Sequence, residues 1–178
     1  MNLKYVPSGN NIPNDIYVII EIPLNSHSIK YEIKKKSEVL YVDRFIPTSM
    51  VYPCNYGYIN HTLSNDGDPL DVLIPITYSL QPKCVIKCRP IGILKMIDES
   101  GEDSKIIAVP HEDICKDYND IVDIHDLSNI TKKKIIHFFE HYKDLENEKW
   151  IKIIGLENIE SAKKEIMFSI KNALKNKT

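Results

Sequence analysis

The sequence predicts a mixed, mainly β fold in which a small barrel of short strands is covered by two α-helices. Two observations predict it. The first two thirds of the chain is a succession of short runs rich in Ile, Val and Leu, separated by Gly, Pro, Asn and Asp, as strands and their turns are. The last third changes period, and apolar residues recur there at helical spacing in two segments. Strands first and helices last suggest a mixed β-barrel with helical cover, an OB-like barrel being one option.

The elements follow in order. IYVIIEIP (16–23) is a β-rich apolar run ended by proline. IKYEI (29–33) alternates, and KKKSE separates it from VLYVDRF (39–45), which predicts a hairpin. DVLIPI (71–76) reads as a buried strand. CVIKCRPIGILKMI (84–97) reads as a long strand broken near Pro90 or Gly92, and SKIIAVP (104–110) pairs back on it across the DESGED turn. In DLSNITKKKIIHFFEHYKDL, Leu127, Ile130, Ile135, Phe138, Phe139, Tyr142 and Leu145 approximate one helix face, with Asp126 or Ser128 as cap. KWIKII (149–154) is one more strand. A second helix carries Ile159, Ala162, Ile166, Ile170 and Ala173 or Leu174 on one stripe.

The chain has 178 residues, 43% hydrophobic and 27% charged, which suits one globular domain over 1–178. No apolar run approaches the roughly 20 residues of a membrane helix. The opening MNLKYVPSGNNIPND lacks the apolar core of a signal peptide. A formal net charge of -2 lacks the basic excess of a nucleic-acid binder. The KKK tracts at 34–36 and 132–134 are short and read as solvated faces. The four cysteines, Cys54, Cys84, Cys88 and Cys115, form no C-x-x-C pair and read as free thiols in a reducing compartment.

DGDPLDVLIP (66–75) is the most informative stretch. Asp66 and Asp68 are two apart and share a face in extended backbone. Asp71 would face the other way in a regular strand, but Pro69 can bend the chain so that all three converge. Two like charges ~4 Å apart repel by ~4 kcal/mol at an effective dielectric of 20. Convergent carboxylates therefore need a cation or shifted pKa values, and oxygen-only ligands favour Mg²⁺, Mn²⁺ or Ca²⁺. The EF-hand pattern fails, since Leu70 and Asp71 stand where it needs an oxygen ligand and glycine. An Asp/Gly/Pro turn without function is the plain alternative.

Other charged groups recur at similar spacing. Lys30 and Glu32 share a strand face, as do Asp103 and Lys105, with Asp98 and Glu99 across a glycine turn. Arg44 ends the VLYVDRF strand, and Tyr142 and Lys143 end the first helix. Each reads alone as surface or core. Together they are what a polyphosphate site needs: acid oxygens for hard cations, with Lys, Arg and Tyr as phosphate donors. Composition alone does not bring them together.

DGDPLDV resembles the signature of the family I soluble inorganic pyrophosphatases. IEIP with Glu21, IKYEI, VDRF, YPCNYGYI with Tyr52 and Tyr56, the 80–110 segment and HFFEHYKDLE are similar too, in order along nearly the whole chain. The short bacterial enzymes are the best match. The likeness weakens over CKDYNDIVDIHDLSNI and the last helix, where nothing is carried over.

The resemblance implies an OB-like five-stranded β-barrel with additional strands and two packed α-helices. It implies hydrolysis of pyrophosphate to two phosphates in the cytoplasm, by a homohexamer using several Mg²⁺ per subunit, with Mn²⁺ as a substitute. By the same resemblance, Asp66, Asp71 and Asp103 would bind metal, joined by Asp98 when substrate is bound. Glu21 and Glu32 would hold metal-bound water. Lys30, Arg44, Tyr56, Tyr142 and Lys143 would bind phosphate oxygens, with Lys105 close by.

Asp68 would be the general base and Asp71 the bridging carboxylate of a metal pair roughly 3.5–4 Å apart. Cys54 packs. His137 and His141, i and i+4 on the first helix, suggest a subunit contact that protonation near pH ~6.5 would loosen. Two rival readings are an OB-type module stacking single-stranded nucleic acid on some of the ten tyrosines, and a nucleotide phosphohydrolase. The acidic balance and the Asp cluster stand against the first.

Overall fold

A computed structural model describes residues 2–34 and 36–176. Met1, Lys177, Thr178 and, within the expected KKKSE connector, Lys35 lie outside the described residues. The strands are β1 (Ile16–Ile22), β2 (Ile29–Lys34), β3 (Val39–Phe45), β4 (Asn55–Ile59), β5 (Asp71–Ile74), β6 (Val85–Asp98), β7 (Gly101–Glu102), β8 (Lys105–Pro110) and β9 (Ile151–Asn158). The helices are α1 (Asn129–His141) and α2 (Ile159–Lys175).

Five strands close a ring in the order β1-β4-β5-β8-β6, with β6 returning to β1. This is the OB-like barrel. Four of its seams are antiparallel and one, β5 with β8, is parallel. Closure leaves the ring without unpaired edges. The long β6 serves two neighbourhoods. Its first residues pair with β1, its middle with β8, and its far half carries β9 and the short β7. The hairpin β2–β3 forms a separate sheet outside the ring.

Alternation along the strands builds two cores. Ile16, Val18 and Ile20 of β1, Ile59 of β4, Val72 and Ile74 of β5, Ile86, Cys88 and Ile93 of β6, and Ile106 and Ala108 of β8 fill the barrel. Ala162 and Ile166 of α2 join this cluster. The opposite faces of β5, β6 and β8 present Leu73, Leu94, Met96, Ile107 and Val109 to Ile135, Phe138 and Phe139 of α1. β5 and β8 are therefore buried on both faces, which explains their continuous apolar runs.

The expected break in β6 is a register shift between Pro90 and Gly92. A regular strand would turn Cys88 and Ile93 to opposite faces, because they are an odd number of residues apart. The extra residue restores both to the barrel interior. It also turns Leu94 and Met96 outward toward α1, and Asp98, two further on, shares their side. Gly92 is required here, since a Cβ would lie 2.7 Å from both Glu157 O and Ile124 Cβ.

Several sequence expectations need correction. β4 was not foreseen as a strand, because Asn55 and Gly57 hide its period. β9 runs on to Asn158 rather than ending at Ile154. Ser128, not Asp126, caps α1, its hydroxyl accepting from Thr131 N at 3.3 Å. Asp126 instead accepts from Val122 N and Asp123 N in the turn before it. Ile130, in the first turn of α1, is 61% exposed, and Leu145, which lies past the end of the helix, is 69% exposed. On α2, Leu174 is exposed, and Ser169 is buried in its stead on the stripe. All four cysteines are free, with Cys54 and Cys88 buried.

Candidate active site

The outer face of the barrel begins the site. β5 and β8 run parallel, and Asp71 and Lys105, the first residues of each, are register partners. Lys105 is 3% exposed. Its ammonium donates to Asp71 Oδ2 at 2.9 Å and to the Asp103 carboxylate at 2.8 and 3.1 Å. Burial would lower the Lys105 pKa, but Asp103 and Asp71 together hold it well above the ordinary lysine value. The Tyr56 hydroxyl also donates to Asp71 Oδ2. β4 supplies that tyrosine, and burial raises its pKa.

Glu21 of β1 lies on the same outer side and is 7% exposed. Its Oε1 accepts from Ile33 N of β2 at 2.6 Å, which ties the barrel to the hairpin. Burial pushes its carboxyl up to about 8, helped by Asp71 and Glu32 and opposed by that hydrogen bond. Asp66 is raised as well, by burial first and then by Asp103, Asp71 and Asp68, against a lowering hydrogen bond from Asp68 N. Asp68 itself is exposed at the rim, beyond the left-handed turn at Gly67 (φ 90°).

Further cationic groups lie among carboxylates. Lys143, just past α1, donates to Asp98 Oδ2 at 2.8 Å and to Glu99 at 3.2 Å. Burial alone would raise the Asp98 pKa, but Lys143 and the Ser100 N–H keep it below the ordinary carboxylate value. Tyr142 lies beside it, stacked on Phe138 with centroids 5.1 Å apart. From the hairpin, Arg44 Nη1 donates to Asp43 Oδ2 at 2.9 Å, and Lys30 Nζ stands 3.8 Å from the same oxygen. Glu32 accepts from Lys34 at 3.0 Å.

These groups share one cavity of about 270 Å³. Its carboxylates are Glu21, Glu32, Asp66, Asp68, Asp71, Asp98, Glu99 and Asp103. Lys30, Arg44, Tyr56, Lys105, Tyr142 and Lys143 complete it, so every residue named from the sequence lines the same space. Sequence reasoning missed others in the lining: Tyr31, Tyr58, Ser100, Phe139 and Lys149. Tyr58 alternates with Tyr56 on β4 and was findable from period two. Lys149 carried no signal.

The donor chemistry fits a hard divalent cation. Asp66, Asp71 and Asp103 offer oxygen only, and their mutual repulsion raises Asp66 beyond the effect of burial. Among the described residues, no three acidic or imidazole groups are already gathered as a ligand cluster. The Lys105 ammonium bridges Asp71 and Asp103.

Comparison with known proteins agrees with this geometry. The family model described as inorganic pyrophosphatase matches residues 18–174. The inorganic pyrophosphatase of Escherichia coli strain K12 is 60% identical over 177 residues, 99% of this chain and 100% of that protein. A solved inorganic pyrophosphatase from Coxiella burnetii superposes with a TM-score of 0.90 at 50% identity, covering 94% of this chain and 99% of that one. The Thermus thermophilus inorganic pyrophosphatase gives a TM-score of 0.90 at 39% identity over 98% and 99%. The chain belongs to the inorganic pyrophosphatase family.

Proposed function

We propose that the chain hydrolyses inorganic pyrophosphate to two phosphates, with Mg²⁺ as the activating cation and Mn²⁺ as a substitute. One observation carries the reading: carboxylates and Lys, Arg and Tyr side chains are interleaved around a single cavity, Lys105 on Asp71 and Asp103 and Lys143 on Asp98. Such a lining suits a small, highly anionic substrate that arrives with hard cations.

Asp66, Asp71 and Asp103 would hold the cations, with Asp98 adding a further carboxylate once substrate is present. Bound there, they would neutralise substrate charge and lower the pKa of the attacking water. Asp68 stands at the rim and accepts the water proton as general base. Glu21 and Glu32 orient that water. Its oxygen bonds to one phosphorus, the bridging P–O bond breaks, and the second phosphate leaves with the electron pair. Lys30, Arg44, Tyr56, Lys105, Tyr142 and Lys143 bind and stabilise the phosphate oxygens. Against the effect of burial, Asp103 and Asp71 hold Lys105 well above the ordinary lysine value, and Tyr142 with Asp98 and Glu99 raises Lys143. Phosphoryl transfer needs such positioning and charge more than covalent chemistry.

The test is phosphate release from pyrophosphate with Mg²⁺, beside a chelator control and Asp68→Asn. Rapid release that both controls abolish is expected. Turnover of ATP faster than pyrophosphate would move the reading to a nucleotide hydrolase.

A homohexamer is the proposed assembly. Tyr41, Val42 and Phe45 of β3 are exposed apolar groups that association would cover. His137 and His141 are exposed too, with rings 4.8 Å apart, and His141 Nδ1 lies 2.8 Å from Asp144 Oδ2. Sedimentation from neutral to mildly acidic pH checks both points, with dissociation expected at the acidic end.

A further inference from the structure

Glu146 lies three residues beyond Lys143, in the segment that leads from α1 to β9. Its side chain is 10% exposed, and Oε2 meets two cations, Arg44 Nε at 3.2 Å and Lys149 Nζ at 2.5 Å. Its second oxygen, Oε1, is buried with no hydrogen-bond partner among the described residues. A buried carboxylate with an unfilled acceptor is costly. A surface ion pair serving stability alone would not need that enclosure.

Arg44 enters the cavity from the hairpin, which is outside the barrel ring. Lys149 lines the same cavity and Glu146 does not. The Arg44–Glu146 ion pair therefore ties the hairpin to the segment after α1. Arg44 Nε stands 3.2 Å from Glu146 Oε2 without forming a hydrogen bond, so charge holds it there, while Nη1 donates to Asp43 Oδ2 at 2.9 Å. A guanidinium held between two carboxylates is restricted in direction. Nη2 is left with no protein partner among the described residues.

We propose that Glu146 is a positioning residue for Arg44: its charge holds the guanidinium where Arg44 meets a phosphate oxygen, without touching substrate itself. The proposal rests on reading the cavity as a pyrophosphate site. It assigns Glu146 a role through Arg44, so the two residues act as one unit.

The test is a double-mutant cycle on the full chain with Glu146→Ala, Arg44→Ala and both together. Each chain is assayed for pyrophosphate hydrolysis with Mg²⁺. Each is also titrated with pyrophosphate under chelation by calorimetry, so the coupling is read even if the wild type does not turn over. Glu146→Ala is expected to weaken pyrophosphate about tenfold in KM and affinity, with a smaller change in kcat. In the Arg44→Ala background it should add nothing. Glu146→Gln keeps the shape without the charge and should lose as much as Glu146→Ala. Losses that add in the double variant, or an unchanged KM and affinity in Glu146→Ala, would overturn the proposal. A fall in melting temperature with additive losses would make Glu146 structural and overturn it equally. Wild-type failure to release phosphate, with the coupling intact under chelation, would instead count against the hydrolase reading.

Discussion

Asp71 and Lys105 are direct partners on the parallel strands β5 and β8, and their charged ends meet at 2.9 Å. The same ammonium reaches Asp103 at 2.8 Å. One buried cation therefore balances two carboxylates that are also proposed metal ligands. On that proposal, Lys105 and a divalent cation would compete for the same oxygens.

Replacing Lys105 separates these effects. Lys105→Met leaves Asp71 and Asp103 repelling in a half-buried setting. Removing one partner of such a buried pair costs roughly 3 kcal/mol or more. Under chelation this variant should melt several degrees below the wild type. Added Mg²⁺ should raise its melting temperature by more than it raises that of the wild type. Calorimetric melting with and without Mg²⁺ checks it, and equal shifts would remove Lys105 from the metal site.

Asp68→Asn tests the base. It should lower kcat by roughly 10²–10⁴-fold while Mg²⁺ binding, followed by calorimetry, stays as in the wild type. Wild-type turnover with normal metal binding would move the base elsewhere.

Asp71→Ala tests the metal site itself. It should weaken Mg²⁺ binding by more than the roughly 10–100-fold expected from losing an outer-shell partner. Unchanged affinity would rule out its role as a bridging ligand.

Glu21 gives a pH prediction. Its reference value is 4.5 and its folded value about 8. The folded state therefore binds the proton more tightly than the unfolded one. Stability from this group is full below the unfolded value, falls as pH rises between the two, and stays reduced above the folded value. The effect is on the order of a few kcal/mol. Glu21→Gln keeps an oxygen for Ile33 N but carries no charge. Under chelation it should melt above the wild type near pH 8 and close to it near pH 5. Parallel melting curves at both pH values would show that Glu21 is not held neutral.

Gly57 tests the seam between β1 and β4. A Cβ there would stand 2.1 Å from Ile19 O and 2.9 Å from Ile19 C, both backbone atoms. Gly57→Ala can fit only if the two strands part. A loss of roughly 3 kcal/mol or more is expected, at the upper end of overpacking costs. Thermal melting checks it, and an unshifted transition would mean that the seam is looser than these distances.

Much of this was legible in the sequence. β1, β2, β3, β6 and β8 announce themselves by branched apolar runs, and the Pro90–Gly92 break by its two residues. The acidic and cationic site residues were legible through the DGDPLDV resemblance, not through spacing. Spacing alone left Asp71 on the other face, and only Pro69 signalled the bend that brings it in. β4 was lost because Asn55 and Gly57 occupy the inward positions where an apolar side chain would mark the period. Glu146 was illegible for a different reason. Its meaning depends on Arg44, which lies about a hundred residues earlier, and no local pattern records so distant a pairing.

The parallel seam has a consequence for where the molecule tolerates change. Strands that run in the same direction begin at the same rim, so the loops before β5 and β8 open together. Those loops carry Asp66, Asp68 and Asp103. The segments that leave β5 and β8, 75–84 and 111–123, open at the opposite rim and contribute no lining residue to the cavity. The barrel thus has a working end and a free end. Lengthened loops, fused tags or new chain termini belong at the free end, where the ring insulates the chemistry from them.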